Sequence, residues 1–198
     1  MFRIHKIFDI NTDTNKQQLI QVQAMLRAQF NELTEKDISK LPAQLANPLK
    51  YRFHSMLLIA EDGNANVRGF ALLLHAPDLN FCFLDYLCAG PGETGGGIGG
   101  ALYQRVREEA FQLDVIGMFL ECLPDDPALS PNEDIRKQNS SRLRFYERYG
   151  ARPLVNTGYE TPLKKEDIDP PYLVFDDLGQ SDKPLLREPA KAIIRAIL

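Results

Sequence analysis

The sequence has no basic surplus, no cysteine framework and no apolar run long enough to cross a membrane. Lys and Arg number 23 against 27 Asp and Glu, a net charge of −4. Without a basic stripe or patch the electrostatic footprint of a nucleic-acid binder is missing, so no nucleic-acid partner is expected. The three cysteines, Cys82, Cys88 and Cys122, are scattered, odd in number and set inside apolar runs. Neither metal-ligand spacing nor a disulfide pattern emerges, and they read as core thiols of a reducing compartment; no metal site is expected. No apolar run approaches the ~20 residues of a membrane-spanning helix, which excludes a membrane partner of that kind. The opening Met1-Phe2-Arg3-Ile4-His5-Lys6 lacks the apolar core of a signal peptide. A cytoplasmic protein is expected. Internal repeats and low-complexity stretches are also missing.

What is present is a globular composition. The 198 residues are 44% hydrophobic and 25% charged, enough for one domain with a sizeable core. Residues 2–9 suggest a strand, and 15–30 a helix with Leu19, Val22, Leu26 and Phe30 on one stripe. Thr34 and Asp37 have capping-box spacing for a second helix ending near Pro48. Strands over 56–61 and 67–76, joined by Asp62-Gly63-Asn64, read as a hairpin. A strand over 81–88 runs into a glycine-rich turn, followed by a helix over 99–113 and a strand over 117–123. Residues 124–137 read as a Pro-rich acidic loop, 139–149 as a helix closed by Gly150, and 152–162 and 172–176 as late strands. Leu185–Leu198 is again helical in pattern.

The order β-α-α-β-β-β-α-β-α-β-β opens with antiparallel hairpins and indicates a mixed α/β (α+β) domain rather than a doubly wound one. The domain is expected over 1–180. The tail 181–198 either packs on it or leads into a further segment.

Six of the seven residues in Thr94-Gly95-Gly96-Gly97-Ile98-Gly99-Gly100 are Gly or Ile, between a strand and a helix. Such a turn aims backbone N–H groups and a helix dipole at an anion, and glycine lets a phosphate come close. A bare surface loop is the bland alternative. A Walker A loop is excluded because Ala101 and Leu102 stand where Lys and Ser/Thr are required. Gly95, Gly97 and Gly100 fit G-x-G-x-x-G, but outside the alternating series a dinucleotide fold demands.

Leu87-Cys88-Ala89, the spacer to Glu93, and Gly97-Ile98-Gly99 at a helix start resemble motif A of the GNAT acetyltransferase superfamily, with Thr94 where Arg or Gln is usual. Asn139, Phe145, Tyr146 and Gly150 match its motif B in register, with Arg142 in place of Ala. The likeness spans roughly 1–178. It implies the GNAT acyl-CoA N-acyltransferase fold, a central, mostly antiparallel mixed sheet flanked by helices. It implies acetyl-CoA as co-substrate, held by Leu87, Cys88, Ala89, the stretch Thr94 to Gly100, Asn139 and Tyr146. It also implies direct transfer of an acetyl group to a small-molecule amine, and it is compatible with a homodimer. A non-catalytic acyl-CoA-binding module is the alternative, motivated by Thr94.

In the implied reaction the amine must first lose a proton, since with a pKa near 10.4 only about one alkyl ammonium in 2,500 is neutral at pH 7. Backbone N–H groups of Leu87 to Ala89 stabilise the carbonyl oxygen as it gains charge. Tyr146 gives the leaving thiolate a proton. Asp85 and Glu121 are the candidate bases. Each interrupts an apolar strand, and burial there would raise its pKa towards neutrality. The bland readings are a core aromatic for Tyr146, an N-cap for Asn139, and a loop acceptor for either carboxylate. Asp125, Asp126, Glu133 and Asp134 form either a solvated loop or a recruiter of a cationic acceptor.

Overall fold

A computed structural model describes the chain except residues 8–9, 91, 93–96, 156, 158, 160–169, 181, 183 and 198, and the side chain of Pro48. The element order is the one expected from the sequence, in two compact units, Met1–Leu113 and Asp114–Leu198.

In the first unit β1 (Arg3–Ile7), β2 (His54–Glu61), β3 (Val67–Ala76) and β4 (Phe81–Ala89) form an antiparallel meander. Their buried runs are dense in Leu, Phe and Ile, side chains that fit a pleated surface. One face packs under α1 (Asp13–Gln29) and α2 (Glu35–Ala46), through Leu19, Val22 and Leu26 from α1 and Ile38, Leu41 and Leu45 from α2. Both helices start as their caps dictate. Thr12 accepts from the Asn15 N–H, and Thr34 and Asp37 close the expected capping box.

Pro42 lies inside α2 and has no N–H to offer the Ile38 carbonyl. Gln23 of α1 takes that place: its Nε2 donates to Ile38 O at 3.1 Å. The orphaned acceptor thus becomes a strut between the two helices.

The third helix, α3 (Ile98–Gln112), packs on β2, β3 and β4. It comes so near that Gly69 of β3 can carry no side chain. A Cβ there would lie 2.8 Å from the Cys88 carbonyl oxygen and 2.8 Å from Ile98 Cγ2. Along α3, Leu102, Val106 and Ala110 are fully buried. Glu109 holds the helix to β1 and to itself, with Lys6 and Arg105 each 2.7 Å away.

The second unit builds β5 (Met118–Cys122), β7 (Tyr172–Asp176) and β6 (Arg152–Pro153) into an antiparallel set with β7 in the middle. Only Arg152 and Pro153 of the strand expected over 152–162 are ladder residues; 156, 158 and 160–162 lie outside the described residues. Helix α4 (Glu133–Glu147) begins six residues before the expected position. Asn132 accepts from the Asp134 and Ile135 N–H groups, and Glu133 and Asp134 fill the acidic first turn. The last five residues of the expected acidic loop, 133–137, are therefore a helix start, and Asn139 is an interior residue rather than a cap. The tail helix, α5 (Arg187–Ile197), buries Ile193 completely. No helix among the described residues is long and apolar enough to cross a membrane.

The backbone oxygen beside Gly69 cannot rotate away as a flexible side chain could. Gly69→Ala should therefore cost about 1–3 kcal/mol by overpacking, lowering the melting temperature by about 2–4 °C for each kcal/mol. An unchanged or raised melting temperature in a thermal-denaturation scan would show that α3 has slack over β3.

Candidate active site

Strand β4 is where the first unit departs from regular pairing. Leu72 of β3 faces Tyr86, but the next residue, Leu73, faces Leu84. Asp85 is thus the extra residue of a β-bulge, a device that re-aims side chains next to functional sites. Phe81 to Leu84 are buried, whereas Asp85, Tyr86 and Leu87 are half-buried. Beyond the bulge the register holds, with Leu87, Cys88 and Ala89 opposite Ala71, Phe70 and Gly69. Cys88 points into the core, and Gln29 of α1 donates to the Ala89 carbonyl at 3.2 Å.

The strand then gives way to the glycine turn. Thr94, Gly95 and Gly96 lie outside the described residues. Gly97 is the N-cap of α3 at φ 80°, a left-handed conformation, and has no side chain with which to cap the helix. A Cβ on Gly97 or Gly99 would meet nothing within 4 Å. Ile98, 2% exposed, anchors this turn from beneath. The result is a helix start with a positive dipole end and an N-cap residue that brings no side chain of its own.

A cavity of 220 Å³ opens beside the bulge. Leu26, Leu33, Ile38, Leu41 and Leu72 give it apolar walls; Asp37, Lys40, Gln44, Asp85 and Tyr86 add polar groups. Asp37 is already engaged. It accepts from the Thr34 hydroxyl at 2.6 Å and from Lys40 Nζ at 2.9 Å. The Thr34 bond first, and Lys40 second, hold its carboxyl down at about 2. A wider hollow of 650 Å³ lies between the first residues and the β2–β3 turn, but it holds none of the expected site residues. Its buried Glu61 is tied to Arg3 and Gln18.

In the second unit Tyr146, on α4, is 7% exposed. Burial, and then the neighbouring Cys122, push its phenol well above the usual range, so it keeps its proton at neutral pH. Asn139 is also buried and its Nδ2 donates to the Pro124 carbonyl at 2.8 Å, fastening α4 to the segment after β5. Glu121 does not meet the expectation of burial: it is the exposed residue of β5, and the Tyr159 hydroxyl donates to its Oε1. Tyr159 is buried, and burial followed by that bond to Glu121 raises its phenol strongly. Sequence reasoning missed Tyr159 because it sits in a turn, where no periodicity marks it. Asp126 accepts from the Ala128 N–H at 2.7 Å, a loop-forming contact.

The three cysteines are free and buried. Burial pushes the Cys82 and Cys122 thiols up to about 12, which rules them out as nucleophiles. Among the described residues no cluster of His, Cys, Asp and Glu could hold a metal ion.

The acetyltransferase (GNAT) family model matches residues 20–131, more than half of the chain. The chain belongs to the GNAT family. The match takes in β4, the glycine turn, α3 and β5. No curated protein matches the sequence. Among solved structures, a GNAT-family protein of Bacteroides thetaiotaomicron is 19% identical, with TM-score 0.65 over 98% of this chain and 95% of that one. PaiA N-acetyltransferase of Thermoplasma acidophilum, solved with coenzyme A, is 16% identical, with TM-score 0.58 over 89% and 98%. A chain of the NatC complex bound to Gag peptide and CoA is 16% identical, with TM-score 0.63 over 88% and 96%. These likenesses show the GNAT fold.

The Asn139 contact separates two roles. If the amide holds the loop, Asn139→Leu leaves the Pro124 carbonyl without its donor and costs about 1–3 kcal/mol, read as a lower denaturant midpoint. Unchanged stability with weakened coenzyme binding would instead make Asn139 a ligand contact.

Proposed function

We propose that this chain is an acetyl-CoA-dependent N-acetyltransferase that acetylates the primary amine of a small cytoplasmic acceptor by direct attack. The observation that carries the reading is the start of α3: a left-handed glycine N-cap where an added Cβ would meet nothing within 4 Å, in a member of the GNAT family. Bound there, the coenzyme supplies its acetyl group as a thioester. Ile98, Gly99 and Gly100 would hold its pyrophosphate, and the family motif implies the same role for Gly95 and Gly96. Backbone donors stand in for the side chain that Thr94 does not provide. Leu87 to Ala89 would offer the carbonyl oxygen N–H partners as it gains charge, a role carried over from the family motif.

Asp85 is the better placed of the two candidate bases, because it lies at the bulge and lines the 220 Å³ cavity. There it takes the proton that the amine must shed. The amine nitrogen then bonds to the carbonyl carbon as the carbon–sulfur bond breaks. Tyr146 supplies the proton for the leaving thiolate, a role carried over from the family motif and supported by the burial that keeps its phenol protonated. Glu121, exposed and bonded by Tyr159, positions that tyrosine.

Tyr146→Phe should lower kcat by about 10²-fold or more, the scale of one positioned acid, while leaving the equilibrium affinity for acetyl-CoA within about twofold. Steady-state thiol release and calorimetric titration read the two effects. An unchanged kcat removes Tyr146 from the chemistry. Coenzyme binding without thiol release for any amine would favour the non-catalytic module.

A further inference from the structure

Arg142 stands where the family motif usually has alanine, and the departure falls on the face of α4 that carries Asn139 and Tyr146. Positions 139, 142 and 146 share one side of a helix, the last two a single turn apart. Asn139 and Tyr146 are buried. Arg142 is exposed, and among the described residues no carboxylate holds its guanidinium. The helix packs on β5, which carries Cys122. Burial is what chiefly raises the Tyr146 phenol and the Cys122 thiol, and of the charges around them Arg142 is the one that pulls both down. Glu121, Asp125 and Glu147 push the Cys122 thiol the other way. A negative charge formed in this place therefore meets three carboxylates, and Arg142 is the described cation that offsets them.

The transfer reaction makes such a charge. As the carbon–sulfur bond breaks, its electron pair goes to sulfur. Tyr146 passes its proton to that sulfur, and the phenolate left behind takes a proton back from solvent. Throughout, one negative charge rests on the sulfur or on the tyrosine oxygen. We propose that Arg142 stabilises this leaving-group charge, an inference that rests on the transferase reading: its guanidinium is the counter-ion for the coenzyme sulfur and the Tyr146 oxygen. It acts by Coulomb attraction and gives up no proton. Its exposure keeps the effect modest and open to screening by salt.

The test compares the unaltered full chain with Arg142→Ala, which restores the residue usual in the motif, and with Arg142→Lys, which keeps the charge. Calorimetric titration gives the affinities for coenzyme A and for acetyl-CoA between about pH 6.5 and pH 8.5, the range below an ordinary thiol pKa. Of the two ligands only coenzyme A has a thiol that can ionise. A cation beside the bound sulfur lowers that thiol's pKa in the complex, so affinity for coenzyme A relative to acetyl-CoA grows as the pH rises through this range. The growth in the unaltered chain and in Arg142→Lys should exceed that in Arg142→Ala about fivefold, the worth of one partly exposed ion pair. About 0.5 M NaCl should shrink the difference. Affinity for acetyl-CoA itself should stay within about twofold, since the thioester carries no charge at sulfur. Arg142→Ala matching the unaltered chain in this growth, or Arg142→Lys matching Arg142→Ala, overturns the proposal and leaves the transferase reading standing. Acetyl-CoA that fails to bind the unaltered chain sinks both.

Discussion

The first unit is organised by the approach of α3 to β3 over Gly69. With a carbonyl oxygen and an isoleucine methyl both inside the space a Cβ would need, the helix start is held against the sheet at one place. That fixes Ile98, and Ile98 fixes the direction in which the first-turn N–H groups point. An anion site built from backbone needs this rigidity, because no long side chain can reach out and correct a misplaced donor. The glycines at 97 and 99 contribute the complementary property, which is room in front of the helix.

The acceptor side depends on different physics. Its cavity is walled by α1 and α2, whose relation is set by leucine packing and by the Gln23 bond to the carbonyl that Pro42 orphans. The bulge adds Asp85 to a lining that already carries Asp37, Lys40 and Gln44. In the proposed function the helix start would recognise an anion through backbone dipoles and the cavity would receive the amine, a split that suits a fold that keeps one substrate and changes the other.

Much of the first unit was legible in the sequence. Strand β3 matches its expected bounds residue for residue, and the Thr34–Asp37 box formed as its spacing implied. Those signals are local: alternation, helical stripe and cap chemistry. The bulge at Asp85 was not legible, because register is a property of two strands and β4 alone reads as continuous. The start of α4 was misjudged for another reason. Prolines around 124–131 and a cluster of acids look like loop, yet Asn132 followed by Glu133 and Asp134 is a helix opening. The partners of Glu121 and Asn139 were hidden because both lie in irregular segments, where hydrogen bonds follow tertiary contacts. Asn139 and Tyr146 stood out through the family pattern, and burial then supplied a physical basis for each.

The central claim is that backbone donors at the start of α3 hold the pyrophosphate of coenzyme A. Comparing the equilibrium affinities of acetyl-CoA and acetyl-pantetheine tests it most directly, since pantetheine keeps the thioester arm and lacks the pyrophosphate and nucleotide. The account predicts that acetyl-pantetheine binds at least about tenfold more weakly, and that millimolar inorganic pyrophosphate displaces acetyl-CoA. Equal affinity for the two thioesters, with no displacement by pyrophosphate, would contradict it.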